Sequence, residues 1–330
     1  MQKVLSRYVL AVGLTVLCLS RVLPAGEKVT LRLGVQMTAE TSFSRAAKDF
    51  ARMVGEKSNG EINIEVFTDG VLGDELEMWE SLQLGTLDMC VNSPGRIGNF
   101  VPEYFVFELP YVFRDYAHRD AVADGPTSLK VDEILRQKGE VVVLGQMGGS
   151  GRYLITRNTR APNLADLRGV KMRVQESQVV VDTWRALGTL PVTVAYGETY
   201  TALQTGVTDA AENELSTFQT MKWYEPCRYL MLTEHCIILR PLLIKESRFN
   251  SLSPEYRKIL QDSGKAAAAL AVKYEREFET AAFKILEGFG IEMVPLANKA
   301  EWIEATRVIR DDFAKKNNMQ QIMVEIEAVK

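Results

Sequence analysis

The segments Leu82–Asn92, LQLGTLDMCVN, and Leu203–Asn213, LQTGVTDAAEN, both follow the pattern LQxGxxDxxxN. Each is typical of a helix that ends at a glycine and is followed by a turn and a short strand with asparagine at its carboxyl end. Open α/β sheets bind their ligands at the carboxyl ends of the strands. The two segments therefore predict two similar lobes, each of which offers a polar group, Asn92 or Asn213, to a shared cleft. Because glycine suits many helix ends, chance similarity is the alternative.

The residues around the first segment alternate between strand and helix patterns. Val29–Val35 and Ile62–Phe67 are typical of strands, and the apolar residues between Phe43 and Val54 recur at helical spacing. A second alternation begins after Gly145 and includes the strand Val170–Val174. This order predicts an α/β fold in which each of two lobes is a mostly parallel sheet flanked by helices, with a hinge between the lobes.

The tripeptide Ser253-Pro254-Glu255 has the residues of a helix start, namely a capping serine, a proline in the first turn and an early acid. The helical pattern continues to about Leu286, which is long enough to brace both lobes, and Glu301–Phe313 is a last amphipathic stretch. At 330 residues, two domains are favoured over one. We expect lobe I to contain residues 26–149 and about 238–277, and lobe II to contain residues 150–237 and about 278–330.

The first 25 residues have the layout of a secretory signal peptide. Lys3 and Arg7 precede an apolar run from about Tyr8 to Leu19, and the small residues Ala25 and Gly26 follow. The run is shorter than the ~20 apolar residues that a helix needs to cross a bilayer. We expect cleavage near residue 25 and export to the periplasm, with a retained N-terminal anchor as the alternative.

The charge and the histidine content argue against several classes of partner. The formal net charge is -4, and it falls by three to -7 without residues 1–25, which contain Lys3, Arg7 and Arg21 but no acid. An acidic chain without a basic tract is a poor nucleic-acid binder. Two histidines argue against a zinc site, and we expect neither a metal nor a cofactor.

Three cysteines remain outside the predicted signal peptide, an odd number that cannot all pair within one chain. A disulfide between Cys227 and Cys236 stays open as a possibility.

The common catalytic motifs are absent from the chain. Gly149-Ser150-Gly151 is not a nucleophile elbow, neither histidine lies in a recognisable catalytic motif, and there is no GxxxxGKS/T phosphate loop or GxGxxG fingerprint. We therefore expect a binding protein and not an enzyme.

Arg173 is the residue most typical of an anion-binding group. In the strand Val170–Val174 the side chains alternate between two faces, and Arg173 lies near the carboxyl end, where the cleft is expected. A guanidinium there needs an anion, and a carboxylate can bind it through two parallel hydrogen bonds. A ligand carboxylate and a structural salt bridge to Asp209 or Glu212 both remain open as its partner. Arg152, just after a glycine-rich turn, is a second candidate, with a surface position as its alternative.

Three stretches of the chain together point to a family. The residues Asp166–Ser177, DLRGVKMRVQES, followed by Glu198–Gly206, ETYTALQTG, and by Glu212-Asn213, resemble the solute-binding proteins of tripartite ATP-independent periplasmic (TRAP) transporters, of the dicarboxylate-binding, DctP-like type. The similarity extends to Leu72-Gly73 and Leu82–Gly85, and the order of elements agrees over almost the whole chain. It implies the two-lobed periplasmic binding protein fold and a protein that delivers a small carboxylate to TRAP membrane permease subunits.

The resemblance also implies roles for residues of the second lobe. Arg173 would clamp the ligand carboxylate, Arg152 would support it, and Asn213 would form a hydrogen bond in the cleft. Tyr196 lies where the family often places an aromatic residue against the ligand, with ordinary packing between the lobes as its alternative.

The first lobe is less clearly assigned by the resemblance. Glu40, Asp74 and Asn92 lie near segments that line the cleft in relatives, where their roles vary with the substrate. Met37-Thr38-Ala39-Glu40 differs from the histidine or serine pair that is common after the first strand. The group that recognises the other end of the ligand therefore stays open.

We expect a monomer that binds an organic acid and closes its lobes over it. A periplasmic sensory module that presents its ligand to a receptor is a second hypothesis, and a two-lobed transferase or lyase is a third. The sequence is compatible with a dicarboxylate, a sugar acid, a keto acid or an amino-acid-like solute, and a sugar acid or related hydroxy acid is favoured.

Overall fold

The computed structural model describes residues 28–330, so the predicted signal peptide lies outside the described residues. Within this range, no helix combines the length and the hydrophobicity that crossing a bilayer requires. The strands are β1 Val29–Val35, β2 Ile62–Phe67, β3 Met89–Val91, β4 Val141–Thr156, β5 Lys171–Val174, β6 Leu190–Thr193, β7 Ala210–Asn213, β8 Tyr229–Lys245 and β9 Glu292–Val294.

The helices vary from one turn to ten turns in length. They are α1 Ser42–Lys57, α2 Glu75–Leu84, α3 Pro94–Ile97, α4 Tyr116–Ala123, α5 Pro126–Gly139, α6 Gln178–Ala186, α7 Thr199–Thr205, α8 Leu215–Thr220, α9 Glu246–Asn250, α10 Pro254–Gly288, α11 Lys299–Ala305, α12 Arg307–Lys316 and α13 Gln320–Ala328. Short 3₁₀ turns occur at Pro102–Glu108, Leu164–Leu167 and Tyr196–Glu198.

The strands form one continuous sheet in the order β2-β1-β3-β8-β4-β7-β5-β6, with β9 paired to β8. The strands β1, β2 and β3 pair in parallel, as do β5, β6 and β7, whereas β3–β8, β4–β8 and β4–β7 are antiparallel. We call β1–β3 with α1–α5 the first lobe, and β5–β7 with α6–α8 the second lobe. The long strands β4 and β8 pass through both. The predicted two-lobed α/β fold with mostly parallel sheets is confirmed.

The two repeated segments adopt the same structure. Gly85 and Gly206 follow α2 and α7 with left-handed φ angles of 73° and 79°, which glycine adopts without strain. The carboxylates of Asp88 and Asp209 then each accept a backbone N–H, from β1 at 2.8 Å and from β5 at 3.2 Å. Each aspartate thereby fixes its turn to the parallel strand beside it, which is why the pattern recurs in both lobes.

Helix α10 braces both lobes, as its length predicts. Ser253 caps it by accepting the N–H of Tyr256 at 3.2 Å, and a helix of 35 residues is about 52 Å long. Its first half contributes Tyr256 and Leu260 to the core of the first lobe, and its last turns contribute Ala282 and Leu286 to the core of the second.

The C-terminal stretch differs from the single helix predicted over Glu301–Phe313. It forms α11 and α12, separated at Thr306, whose hydroxyl donates to the carbonyl of Trp302 at 2.9 Å in competition with the helical pattern. The unpredicted α13 packs on α5, where Lys130 Nζ lies 2.8 Å from Glu325. The last residues thus contact the first lobe, although the sequence predicted that they belong to the second lobe. The residue boundaries of the two lobes stay a prediction.

The three cysteines of the described residues, Cys90, Cys227 and Cys236, are buried free thiols. No disulfide joins Cys227 to Cys236 in this structure.

The contact between α10 and β4 requires glycine on both sides. A Cβ atom on Gly264 would lie 2.4 Å from the Leu144 carbonyl oxygen, and one on Gly145 would lie 2.4 Å from the Gly264 carbonyl oxygen. We expect Gly264→Ala to destabilise the protein by about 1–3 kcal/mol, because backbone must move to admit the methyl group. Urea unfolding monitored by circular dichroism measures this.

Gly288→Ala is the matched control in the same helix, because a Cβ atom there meets nothing within 4 Å. It should leave the stability unchanged or raise it by up to about 1 kcal/mol. Equal stability of the two variants would contradict the close contact of α10 with β4.

Candidate ligand-binding site

A small cavity lies between the two lobes, where β1, β5 and β7 end. Its lining comes from both lobes and from β8: Gln36, Met37, Glu75, Arg96, Arg173, Gln175, Tyr196, Asn213, Thr217 and Arg240. The side chains leave room for little more than a water molecule inside it. A larger ligand therefore needs the lobes to part.

Arg173 is a buried cation that forms no salt bridge with any described residue of the protein. Its side chain is 1% exposed, its Nε donates to the carbonyl of Val194 at 3.0 Å, and its guanidinium carbon lies 5.5 Å from the centre of the Trp223 ring. Among residues 28–330, no carboxylate lies within 4.0 Å of it. Burial lowers the pKa of Arg173 to about 10, so it stays charged at neutral pH.

The other two arginines of the cavity have carboxylate partners. Arg240 pairs with Glu75, and its Nε lies 3.8 Å from Glu214. Arg96 lies 3.1 Å from the carboxylate of Glu176 and 3.9 Å from that of Asp74. Among the cavity arginines of the described chain, only Arg173 therefore lacks an ion pair.

Arg152 is buried, but it lies next to the cavity and not in its lining. Its Nε and one terminal nitrogen donate to the two carboxylate oxygens of Glu212 at 2.5 and 2.6 Å. Although burial opposes ionisation, Arg152 holds the pKa of Glu212 far below its usual range. Glu212, one of the two acids proposed as an alternative partner of Arg173, is thus bound to Arg152.

The two repeat asparagines have matching turns but different free groups. The Oδ1 of each accepts the N–H of the next residue, Ser93 or Glu214, at 2.9 Å. Asn92 Nδ2 donates to the carbonyl of Glu75 at 2.7 Å, and Asn92 does not line the cavity. Asn213 Nδ2 has no hydrogen-bond partner among the described residues, and Asn213 does line it. Of the two repeat asparagines, only Asn213 therefore has an amide group that is free to bind a ligand.

The remaining predicted residues lie at different distances from the cavity. Tyr196 lines it, with its hydroxyl 3.4 Å from Thr217 Oγ1 and its ring centre 5.7 Å from that of Trp223. Tyr196 also borders an outer, open pocket that Asp74 lines. Glu40 is exposed and lines neither space. The structure thus brings Arg173, Asn213 and Tyr196 together and places Arg152, Asn92 and Glu40 elsewhere.

Sequence reasoning missed several residues of the cavity, above all Glu75, Arg96, Gln175 and Arg240. Arg240 carried a signal, because it interrupts the apolar run of β8, and an arginine in such a run is buried and needs a partner. The others had no comparable local signal. No group of three or more histidine, cysteine, aspartate or glutamate residues suited to a metal ion occurs in residues 28–330.

Hydrogen bonds across the cleft hold the lobes together beside the cavity. Arg96 and Asn99 of the first lobe donate to the carbonyl oxygen of Glu176 at 3.1 and 2.8 Å. Gln175 Nε2 donates to the carboxylate of Glu108 at 2.8 Å. Because residues 175 and 176 directly follow β5, the strand that carries Arg173 also carries the acceptors and donors that close the cleft.

Comparison with known proteins adds independent findings. The family model described as "Bacterial extracellular solute-binding protein, family 7" (DctP) matches residues 33–317. The 2,3-diketo-L-gulonate-binding periplasmic protein of Escherichia coli (strain K12) is 28% identical over 292 residues, which are 87% of each chain. The C4-dicarboxylate-binding periplasmic protein of Rhodobacter capsulatus is 28% identical over 317 residues, 94% of each.

A solved structure supports the same grouping. A TRAP periplasmic solute-binding protein from Bradyrhizobium, in complex with α/β-D-galacturonate, superposes with a TM-score of 0.87 at 31% identity. The match covers 90% of this chain and 99% of that one.

The different partners of the two buried arginines predict opposite effects on stability. Arg152→Met leaves Glu212 buried without its arginine and should destabilise the protein by about 3–5 kcal/mol. Arg173→Met removes a buried cation that has no carboxylate partner, so the ligand-free protein should lose less than about 1 kcal/mol or gain stability. Urea unfolding in the absence of ligand compares them. Equal losses would show that Arg173 has a structural counter-charge after all.

Proposed function

We propose that this chain, which belongs to bacterial extracellular solute-binding protein family 7, binds a sugar acid with the acid's carboxylate against Arg173. The observation that carries this proposal is that Arg173 is buried and forms no salt bridge within residues 28–330. A buried, unpaired guanidinium is costly, and a ligand carboxylate that forms two parallel hydrogen bonds removes that cost. The family is one of solute-binding proteins, and we propose that no reaction is performed on the ligand.

The rest of the cavity suits a polyhydroxylated ligand better than a second carboxylate. Glu75, Asn213, Gln175 and Thr217 supply acceptors and donors for hydroxyl groups. A second ligand carboxylate would lie close to the buried Glu75, which disfavours it. The galacturonate and diketo-gulonate of the two relatives agree with this choice, and a C4-dicarboxylate, as bound by the Rhodobacter relative, is the alternative.

We further propose that Arg152 acts through Glu212 and not by direct contact with the ligand. The bond from Arg152 to Glu212 anchors the end of β7, directly before Asn213. Asn213 and Tyr196 then contact the ligand, Asn92 holds the backbone of Glu75, and Asp74 lies at the mouth of the cleft. Glu40 has no contact that supports a role in binding.

The two-lobed fold supports a proposal for capture and delivery of the ligand. Opening breaks the cross-cleft bonds of Arg96, Asn99 and Gln175, and ligand binding restores them on closure. We propose that the closed monomer presents the acid to the membrane permease of a TRAP transporter in the periplasm, after cleavage of a signal peptide near residue 25.

Isothermal titration calorimetry with D-galacturonate, D-glucuronate and succinate tests the ligand class. We expect micromolar or tighter binding of a sugar acid, about -8 kcal/mol or more, and weaker binding of succinate. Arg173→Met should weaken the binding at least about 30-fold, because truncating one partner of a buried charge pair costs at least about 2 kcal/mol. Arg173→Lys retains the charge without the two-pronged geometry and should give an intermediate loss.

Each contrary outcome has a definite meaning. Tighter binding of succinate would favour the dicarboxylate alternative. Unchanged binding by Arg173→Met would disprove the clamp, and no binding of any of the three acids would disprove the proposed ligand class.

A further inference from the structure

Glu108 is a buried carboxyl group at the contact between the lobes. It ends the 3₁₀ turn Pro102–Glu108 of the first lobe and is 3% exposed. Its Oε1 accepts the hydrogen bond from Gln175, a residue of the cavity, at 2.8 Å. Its Oε2 is buried and has no hydrogen-bond partner among the described residues. One oxygen of this carboxyl group therefore depends on the second lobe, and the other is unsatisfied.

The space around Glu108 is formed by both lobes. Glu108 borders a second small pocket together with Pro110, Arg152, Val180, Thr183, Trp184, Glu212, His235 and Cys236. Val180, Thr183 and Trp184 belong to α6 of the second lobe. When the lobes part, α6 and Gln175 move away from Glu108, and water reaches its carboxyl group.

The charged groups around Glu108 act on its carboxyl group in opposite directions. Arg152 on β4 and Arg240 on β8 favour its ionised form, whereas Glu212 on β7 and Glu75 on α2 oppose it. His235 on β8 also faces this pocket, and its own pKa is lowered by burial, so it contributes little charge near neutral pH. Burial is the largest influence and raises the pKa of Glu108 to about 7.

We propose that Glu108 is a positioning residue that orients Gln175 across the cleft and that closing of the lobes takes up one proton on Glu108. Because Gln175 uses its NH₂ group on Glu108, its carbonyl oxygen is left to accept from a ligand hydroxyl. The link to ligand affinity rests on the proposed function, but the link to closure does not.

The direction of the pH effect follows from the two states. In the open state the solvated carboxyl group has its ordinary pKa of 4.5, and in the closed state its pKa is about 7. Between these values the open form is ionised and the closed form is protonated, so a lower pH favours closure. Between pH 7 and pH 4.5, the ligand affinity should rise by up to tenfold for each unit by which the pH falls. Well above pH 7 and below pH 4.5, the affinity should no longer depend on pH.

The first experiment measures the Kd of D-galacturonate by calorimetry from pH 5.5 to 8.5. The wild-type protein should bind roughly fivefold more tightly at pH 6 than at pH 7, because half of the closed form is already protonated at pH 7. Glu108→Gln keeps an acceptor for Gln175 but cannot titrate, so its Kd should not depend on pH and should be at least as low as that of the wild type at pH 5.5.

Asp132→Asn is the matched control. Burial also raises the pKa of Asp132 to about 7, but its bonds, from Tyr104 at 3.2 Å and Gln146 at 2.7 Å, do not involve the second lobe. This variant should retain the wild-type pH dependence of the Kd.

The second experiment needs no ligand. Spin labels on Val71→Cys and Thr193→Cys, exposed positions on opposite lobes, report the closed fraction by their distance distribution, while the three native cysteines are buried. The closed fraction of the ligand-free protein should rise as the pH falls from 7 to 5.5, and it should not depend on pH in Glu108→Gln.

These outcomes separate the two proposals. If no sugar acid binds, the proposed function fails, and the spin-label distances alone decide the role of Glu108. A closed fraction that does not change with pH in the wild type overturns the proton uptake. A pH dependence that persists in Glu108→Gln also overturns it and would point to Glu275, a buried acid of α10 with a pKa of about 7 that bonds to Ser42.

Discussion

The antiparallel pairing of β4 with β8 is the interaction on which the rest of the structure depends. The two strands pair from Val141 opposite Lys245 to Thr156 opposite Tyr229, and every other strand is attached to this ladder directly or through a neighbour. The pairing shifts register at three places, and one of them lies between Gly148 and Gly151. A Cβ atom on Gly149 would lie 2.2 Å from Ile238, so the glycines there permit close packing as well as the irregular backbone. Helix α10 crosses this ladder through the contact of Gly264 with Leu144 and so connects the two cores.

The distribution of charge between the lobes follows from this arrangement. β4 and β8 each carry one buried arginine, Arg152 and Arg240, and both are matched by glutamates on neighbouring elements. These pairs are expensive to desolvate, and they are tolerable because each carboxylate is held by hydrogen bonds as well as by charge. Arg173 lies on β5, two strands from β4, and has the same burial without such a partner. This contrast between paired and unpaired buried arginines is the observation on which the proposed anion site rests.

Residues 175 and 176 link the strand of Arg173 to the first lobe. They directly follow β5, and their hydrogen bonds to Glu108, Arg96 and Asn99 bridge the two lobes. The proposed ligand carboxylate at Arg173 would order the end of β5 and, with it, these bridging groups. The proposed protonation of Glu108, whose Oε2 has no partner among the described residues, would favour the same bridge.

The sequence by itself determined the alternation of strands and helices, the repeated helix-glycine-strand unit, the cap of the long helix and the position of Arg173 at a strand end. These features are local, because glycine φ angles, serine caps and strand alternation depend on residues close together in the chain. The packing of α13 on α5 was not predicted, since it depends on contacts between distant segments. The break at Thr306 was also missed, although the hydrogen bond from Thr306 to Trp302 that accompanies it is local.

Only the tertiary structure decided which of two equivalent asparagines is free and which arginine is unpaired. Asn92 and Asn213 have the same local pattern. However, Asn92 Nδ2 donates to the carbonyl of Glu75, whereas Asn213 Nδ2 has no partner in the described chain. The sequence predicted that both Arg152 and Arg173 could bind a carboxylate. The pairing of β4 with β7 places Glu212 beside Arg152, which binds it. Hydrogen-bond and charge partners come from strands far apart in sequence. The availability of a polar group is therefore a property of the fold and not of its sequence motif.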